Sequence, residues 1–282
     1  MSVVRLAVQE QLVPGNTLEI KFENAVEAGF EAIELRAAGT GGFVGRRREI
    51  IRARAAGVRF SSACLDLDHH LGSFEPERRA RARADIKDIL TVLAQDVGGD
   101  GLVVPNGCAV FSRYLPPFDP PIARATAADW LLEGLTDVGE WAEHEGVQVY
   151  LEPLNRYEDW VITTLGEATS MAAVVGLPSV AVCADTYHAE LEERDVAAAL
   201  RAAGRLLQHV QLGDSNRLEP GGGHADWPAT MAALADIGYT GWLALECFMS
   251  GLGLEPLTEA ARVIREAADA HSPQPTRDGV QS

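Results

Sequence analysis

"EHEGVQVYLE" (residues 143–152) combines the polar end of a helix, a glycine and a short apolar run that finishes on Glu152. A glycine just past a helix adopts the left-handed backbone conformation that ends it. The run after Gly146 is too short and too apolar for a surface helix, so we predict a buried strand. The same unit recurs along the chain, as in "AVEAGFEAIEL" (25–35) and "LADIGYTGWLALE" (234–246).

With the N-terminal "VVRLAV", the chain contains eight predicted strands, each followed by a helical stretch. Apolar strands that alternate with helices indicate a parallel sheet covered by helices. Eight units in this length favour an α/β fold of the closed (β/α)8 TIM-barrel type, in a single domain, over an open sheet. No "GxGxxG" follows the first strand, which weakens the dinucleotide-binding alternative. The predicted strands lie near 3–8, 31–35, 58–63, 101–104, 147–152, 179–184, 207–212 and 242–246.

The predicted domain bounds follow from this repeat. Residues 1–270 form the catalytic barrel, and "HSPQPTRDGVQS" (271–282) is expected to be a disordered C-terminal tail. Two helix starts carry capping-box spacing, Asn16-x-x-Glu19 and Thr164-x-x-Glu167.

Composition excludes several classes of function. A formal charge of −17 argues against binding to nucleic acid or to an anionic membrane, since both need basic surface. Lys21 and Lys87 are the only lysines and both fall in predicted helices, so Schiff-base chemistry has no good candidate. The N-terminus lacks a signal-peptide layout, no apolar run approaches membrane-spanning length, and the four cysteines lack CxxC spacing. These features predict a cytoplasmic protein.

Acidic residues stand where three of the last four strands end. Glu152 follows the fifth strand, Asp185 the sixth and Glu246 the eighth, each after a run nearly free of charge. Chemistry in such barrels takes place at the carboxyl ends of the strands. Three carboxylates converging in one pocket would repel one another unless a cation lay among them, which indicates a divalent metal. Any one of these acids alone is explained equally well as a surface residue at a strand end.

The seventh strand offers two further candidate ligands, His209 and Gln211. Both point to the same face, because side chains alternate along a strand with a period of two. Neutral imidazole is the commonest metal ligand, whereas an amide oxygen coordinates hard cations. Ligand chemistry favours His209 as the metal ligand. Gln211 lies further along the strand, nearer the catalytic mouth, which favours Gln211 instead, so the sequence of this strand leaves the choice open.

Four stretches together resemble motifs of the xylose-isomerase-like TIM-barrel superfamily, especially its ketose 3-epimerases and hydroxypyruvate isomerase-like members. The resemblance covers about residues 147–250, whereas the first half of the chain matches in architecture only. As a set the motifs are specific for the superfamily and much less so for one substrate. The stretches are "LEPLNRYE", "ADTYH", "HVQLGDSNRLEPGGGHADW" and "LALECF".

In that family a Glu, an Asp, a His and a Glu from successive strands hold the metal, which here implies Glu152, Asp185 and Glu246. The family's histidine lies six residues before the loop arginine, and counting back from Arg217 gives Gln211. We therefore expect Gln211 as the fourth ligand, with His209 as a neighbour that orients it. A set of oxygen ligands favours Mn²⁺ or Mg²⁺, with Co²⁺ as an alternative, over softer metals.

The resemblance also implies catalytic roles for Glu152 and Glu246. One would remove the proton beside a ketose carbonyl and the other would return it, through a metal-bound enediolate. The implied enzyme is an isomerase, a metal-dependent epimerase of the ketose 3-epimerase type that acts on a small sugar as a dimer or tetramer.

Three loop residues match substrate-contacting positions of the family: Glu158, His188 and Arg217. Each has a simpler structural explanation. Glu158 could be a solvated acid, His188 a packed histidine, and Arg217 the partner of a nearby acid such as Glu219.

Three other functions compete with epimerisation. A dehydratase or lyase on an inosose or 3-keto-sugar would use the same proton abstraction. An abasic-site endonuclease shares the barrel, but it needs a His-rich cluster and basic surface, which seven histidines and a charge of −17 do not supply. A sugar-binding barrel without activity is supported by Gln211 in place of the family's histidine. The loops "CLDLDHHLGSF" (64–74) and "PNGCAVFSRYLPPF" (105–118) contain no recognisable motif, and the histidines of the first are expected to be solvated.

Overall fold

The computed structural model describes residues 4–39, 41–105 and 120–270. Within them, eight parallel strands close into a barrel in sequence order, with the last strand paired to the first. The predicted (β/α)8 fold is thus confirmed, with strand ends shifted by a few residues at most. The strands are β1 (Arg5–Gln9), β2 (Ala32–Ala38), β3 (Phe60–Asp66), β4 (Gly101–Pro105), β5 (Gln148–Glu152), β6 (Val180–Asp185), β7 (Leu207–Leu212) and β8 (Trp242–Leu245).

Helices follow the strands and cover the outside of the barrel. A π-helical turn at Leu93–Val97 and a 3₁₀ turn at Gly204–Leu206 lead into β4 and β7. The α-helices of the described residues are α1 (Leu18–Glu27), α2 (Gly42–Gly45), α3 (Arg47–Ala55), α4 (Pro76–Val92), α5 (Arg124–Glu145), α6 (Leu165–Val175), α7 (Thr186–Glu192), α8 (Val196–Ala203), α9 (Trp227–Asp236) and α10 (Glu255–Asp269).

Local signals place most of these boundaries. Gly146 ends α5 in the left-handed conformation with φ 76°, as its position after the helix predicts. Thr164 caps α6 in a complete capping box with Glu167. The predicted cap at Asn16 is wrong by one residue: Thr17 caps α1, because its hydroxyl accepts the Ile20 N–H.

The core divides into two layers. Side chains on the outer face of the strands pack with the helices in one large apolar cluster that includes Leu6, Leu102 and Leu245. The inward face carries a smaller cluster around Tyr150 and Cys183. Alternation along β5 puts Glu152 on the same inward face as Tyr150, two residues nearer the mouth.

Two predictions reach beyond these residues. The domain bounds of 1–270 stay a prediction, and both the tail (271–282) and most of the loop at 105–118 lie outside the described part of the chain. No helix of the described residues is long and apolar enough to span a membrane.

Candidate active site and metal centre

The predicted metal ligands lie together at the carboxyl end of the barrel. Glu152 and Asp185 end β5 and β6, and Gln211 is paired in register with Asp185. Glu246 follows β8, where its N–H donates to the carbonyl of Leu212 at 3.0 Å. Because parallel strands end at the same rim, all four residues lie at that rim.

A carboxylate oxygen of Glu152, a carboxylate oxygen of Asp185 and a ring nitrogen of His188 lie within 4.8 Å of one another. All three residues are buried. The Oε2 atom of Glu246 is also buried and has no hydrogen-bond partner among the described residues. A buried carboxylate oxygen without a donor is costly, and a cation would relieve that cost. The residues present therefore fit a divalent metal.

The carboxylates of the site disfavour each other's charge. Burial raises the pKa of Glu152 well above its usual value, and the neighbouring charges of Glu246 and Asp185 raise it further. Burial likewise raises the pKa of Glu246, with added repulsion from Asp185 and Glu34. For Asp185, burial raises the pKa, while His188 and Arg217 partly oppose the shift. The site has an excess of negative charge that a cation would balance.

The hydrogen bonds of His188 determine its tautomer. Its Nδ1 accepts the backbone N–H of Asn155 at 3.1 Å and lies 2.7 Å from the side-chain amide nitrogen of that residue. A backbone N–H can only donate, so a neutral ring carries its proton on Nε2. That nitrogen is 3.6 Å from Asp185 and 3.8 Å from Glu152. His188 therefore presents a donor to the pocket rather than a lone pair for a metal.

His209 lies beneath the site, where both Glu34 and Tyr150 contact its ring. Its Nε2 lies 2.8 Å from Glu34, and its ring stacks on Tyr150 with centroids 5.2 Å apart. Burial alone would raise the pKa of Glu34, but the charge of His209 and hydrogen bonds from His209 and Gln211 outweigh it and lower that pKa. Gln211 is one inward position nearer the mouth than His209.

A cavity of about 300 Å³ opens beside the acidic cluster. It is lined by both predicted catalytic residues, Glu152 and Glu246, and by the three predicted substrate-binding residues, Glu158, His188 and Arg217. Its wall also includes residues from strands β1 to β3 and the loops after them that the sequence did not assign: Gln9, Gln11, Arg36, Cys64, Asp66 and His70.

The histidines of the loop after β3 are buried, so the prediction that they are solvated is wrong. His69 lies between Asp68 and Asp85, whose carboxylates are 2.6 and 2.9 Å from its ring nitrogens. Burial lowers the pKa of His70 to about 4, which keeps this cavity-lining ring neutral.

Arg217 is held rigidly at the cavity wall. It pairs with Glu158 rather than with Glu219, and its guanidinium lies 4.6 Å from the ring centroid of Tyr187. Its backbone adopts φ 61°, the left-handed region that residues other than glycine rarely occupy. Its N–H donates to Asp214 and its carbonyl accepts from Phe248, both at 2.7 Å, which fixes this conformation. Strain of this kind is typical of functional positions.

The glycines of "PGGGH" have a structural role. Asp214 accepts hydrogen bonds from the backbone N–H groups of Gly221 and Ala225 and from the Trp227 indole. A Cβ on Gly223 would lie 2.2 Å from Asp214 Oδ1, so a side chain there would clash. These glycines allow the loop to wrap around Asp214, which explains them without a phosphate ligand.

An acidic, metal-compatible centre at the carboxyl ends of eight parallel strands defines a class of barrel enzyme, and comparison with known proteins places the chain within it. The model of the xylose isomerase-like TIM barrel family matches residues 22–270, and the chain belongs to that family. A 3-dehydro-D-guloside 4-epimerase of Escherichia coli (strain K12) is 34% identical over 246 residues, covering 86% of this chain and 92% of the relative.

Two further comparisons agree. A D-psicose 3-epimerase of Agrobacterium fabrum is 30% identical over 210 residues, covering 64% of this chain and 73% of the relative. The apo crystal structure of a 3-keto-D-glucoside 4-epimerase from E. coli superposes with a TM-score of 0.85 at 30% identity, covering 93% of this chain and 99% of the other. The chain is thus homologous to sugar epimerases, and it is an enzyme of the isomerase class.

Proposed function

We propose that this protein is a divalent-metal-dependent epimerase of keto-sugars that moves a proton at the carbon beside a carbonyl. One observation carries the proposal: Glu152 and Glu246 line one cavity together with His188 and Arg217. Asp185 has a ligand atom within 4.8 Å of Glu152 and is paired in register with Gln211. The relatives are named as epimerases of a keto-glycoside and of a free ketose, which supports a keto-sugar as the substrate of this protein.

Glu152, Asp185, Gln211 and Glu246 would hold the metal. When bound, it would polarise the substrate carbonyl and make the adjacent C–H more acidic. The four residues offer only oxygen atoms, if Gln211 binds through its carbonyl, and this composition favours Mn²⁺, with Mg²⁺ or Co²⁺ as alternatives.

The protein's own residues would perform the proton transfers. Glu152 and Glu246 line the same cavity, so one can take the proton from one face of the substrate and the other can return it to the opposite face. His188 would donate from Nε2 to a substrate oxygen as negative charge develops there. Arg217 would add a fixed positive charge, since Glu158 and its backbone contacts keep it in place.

Exchange with deuterated solvent tests this function. The purified protein with Mn²⁺ is incubated in D₂O with free ketoses and with 3-keto-glycosides, and NMR follows carbon-bound deuterium. We expect deuterium beside the carbonyl together with the epimer, and a loss of roughly 10²- to 10⁴-fold in Glu246→Gln. If none of these sugars exchanges a carbon-bound proton, the proposal is contradicted. If the product is an enone that absorbs in the ultraviolet and no epimer forms, the enzyme is a dehydratase instead.

We also propose a cytoplasmic location and a homodimer or homotetramer. Three buried free cysteines, Cys64, Cys183 and Cys247, support a reducing compartment. The exposed apolar side chains of Phe248 and Leu252 support contact with a second subunit. Light scattering during gel filtration measures the oligomeric state.

A further inference from the structure

A buried carboxylate on β2 lies beneath the candidate metal centre. Glu34 is fully buried, and four side chains donate to it. Its Oε1 accepts from the amides of Gln9 at 3.0 Å and Gln211 at 2.9 Å. Its Oε2 accepts from the Ser62 hydroxyl at 2.7 Å and lies 2.8 Å from Nε2 of His209. An ionised carboxylate has about four acceptor positions, and all four are used here.

The topology brings these donors together from distant parts of the chain. Glu34 is paired in register with Gln9 on β1 and with Ser62 on β3. His209 and Gln211 reach it from β7, across the interior of the barrel. Gln9 also lines the cavity, as Glu246 does.

An ionised carboxylate can only accept, so it dictates how each neighbouring amide is turned. The NH₂ group of Gln211 must face Glu34, and its carbonyl oxygen must face elsewhere. In the structure that oxygen accepts from the Cys183 thiol at 3.4 Å. A thiol is a weak donor, so the oxygen keeps acceptor capacity for a cation. Without Glu34, the amide could turn and present NH₂, which does not bind metals.

We propose that Glu34 is a positioning residue of the metal centre. Its carboxylate orients Gln211 so that the amide oxygen serves as the fourth ligand, and it fixes the amide of Gln9 in the wall of the same cavity. This inference rests on the proposed function, and it explains how a glutamine can stand where the related family has a histidine. Partners that orient metal ligands typically change metal affinity by about 10- to 100-fold when they are altered.

Glu34→Gln tests the inference, with Ser62→Ala as a matched control. The first variant places an NH₂ group among the donors, whereas the second removes one bond to Oε2 and leaves both glutamine amides paired. Calorimetric titration with Mn²⁺ and thermal unfolding without metal are measured for each. We expect Glu34→Gln to weaken Mn²⁺ binding roughly 10- to 100-fold. Ser62→Ala should lower the melting temperature but bind Mn²⁺ within about twofold of the wild type, because neither amide is disturbed.

A folded Glu34→Gln variant with wild-type Mn²⁺ affinity overturns the inference, as does an equal loss of affinity in Ser62→Ala. If Glu34→Gln does not fold, Glu34→Asp keeps the charge beside His209 but is too short to hold both amides. Unchanged Mn²⁺ affinity in that variant likewise overturns the inference. If the wild type itself binds no Mn²⁺, the proposed metal-dependent function fails together with the inference, whereas failure in the variants alone leaves that function standing.

Discussion

Glu152→Gln is expected to stabilise the metal-free protein while abolishing its response to metal. The candidate ligand atoms of Glu152 and Asp185 lie no more than 4.8 Å apart. Two full charges at that distance repel by about 3.5 kcal/mol at an effective dielectric constant of about 20. Partial protonation relieves some of this repulsion, so we expect the free energy of unfolding to rise by about 1–3 kcal/mol. For a domain of this size, each kcal/mol raises the melting temperature by roughly 2–4 °C.

The pH dependence of this effect has a definite sign. Burial, Glu246 and Asp185 raise the pKa of Glu152 above its value in the unfolded chain. The folded protein therefore binds more protons between those two pKa values, and its stability falls as pH rises through that window. Below the unfolded pKa of about 4.3, the wild type and Glu152→Gln should be similarly stable, and the advantage of the variant should grow toward pH 8.

Mn²⁺ should cancel the stability advantage of the variant, and at higher concentrations it should reverse the order of stability. Binding at about 100 times the dissociation constant stabilises a folded protein by about 2.7 kcal/mol. The wild type should gain this amount, while Glu152→Gln lacks one anionic ligand and should gain little.

Thermal and urea unfolding with EDTA and with Mn²⁺ measure both effects. Glu140→Gln, at an exposed position on α5, is the control and should stay within about 0.5 kcal/mol of the wild type. A metal-free Glu152→Gln variant that is less stable than the wild type at pH 8 refutes the reasoning. Equal stabilisation of both proteins by Mn²⁺ refutes it as well.

Three further substitutions test individual parts of the site. The Gln211→His variant should still bind Mn²⁺ and should gain affinity for Co²⁺ or Zn²⁺ relative to Mg²⁺, because imidazole is a softer ligand than an amide oxygen. Competition titrations that show the same relative affinities as the wild type contradict this. Arg217→Lys should lower kcat roughly 100-fold with little change in melting temperature, because lysine lacks the planar fork that pairs with Glu158; unchanged kcat contradicts the assigned role. Asn155→Ala should leave the tautomer of His188 unchanged, because the substitution removes the side-chain amide near Nδ1 but keeps the backbone N–H that Nδ1 accepts; NMR of the ring that shows the proton on Nδ1 contradicts the tautomer assignment.

The sequence predicted the barrel and the acids at its rim because both depend on local patterns. Buried strands appear in the sequence as apolar runs after glycines. Glu152 and Asp185 stand out because each is the acidic last residue of such a run. Glu34 gave no such signal. It lies within β2, and its role depends on β7, 175 residues away in sequence, lying across the barrel interior.

Loop residues escaped prediction for a related reason. Asn155 lies inside a recognised motif, but its effect on His188 depends on a hydrogen bond between the loop after β5 and helix α7. The shift of the first cap from Asn16 to Thr17 shows that neighbouring residues of similar capping ability cannot be ranked by spacing alone. His69 was assigned to solvent because the partner that buries it, Asp85, belongs to the following helix.

Anomalous diffraction from a crystal grown with Mn²⁺ tests the metal centre most directly. The account predicts one strong peak at the rim of the barrel, within coordination distance of oxygens from Glu152, Asp185, Gln211 and Glu246. The Nε2 atom of His188 should lie outside that coordination sphere. A peak coordinated by His188 in place of Gln211, or no peak at this rim, would contradict it.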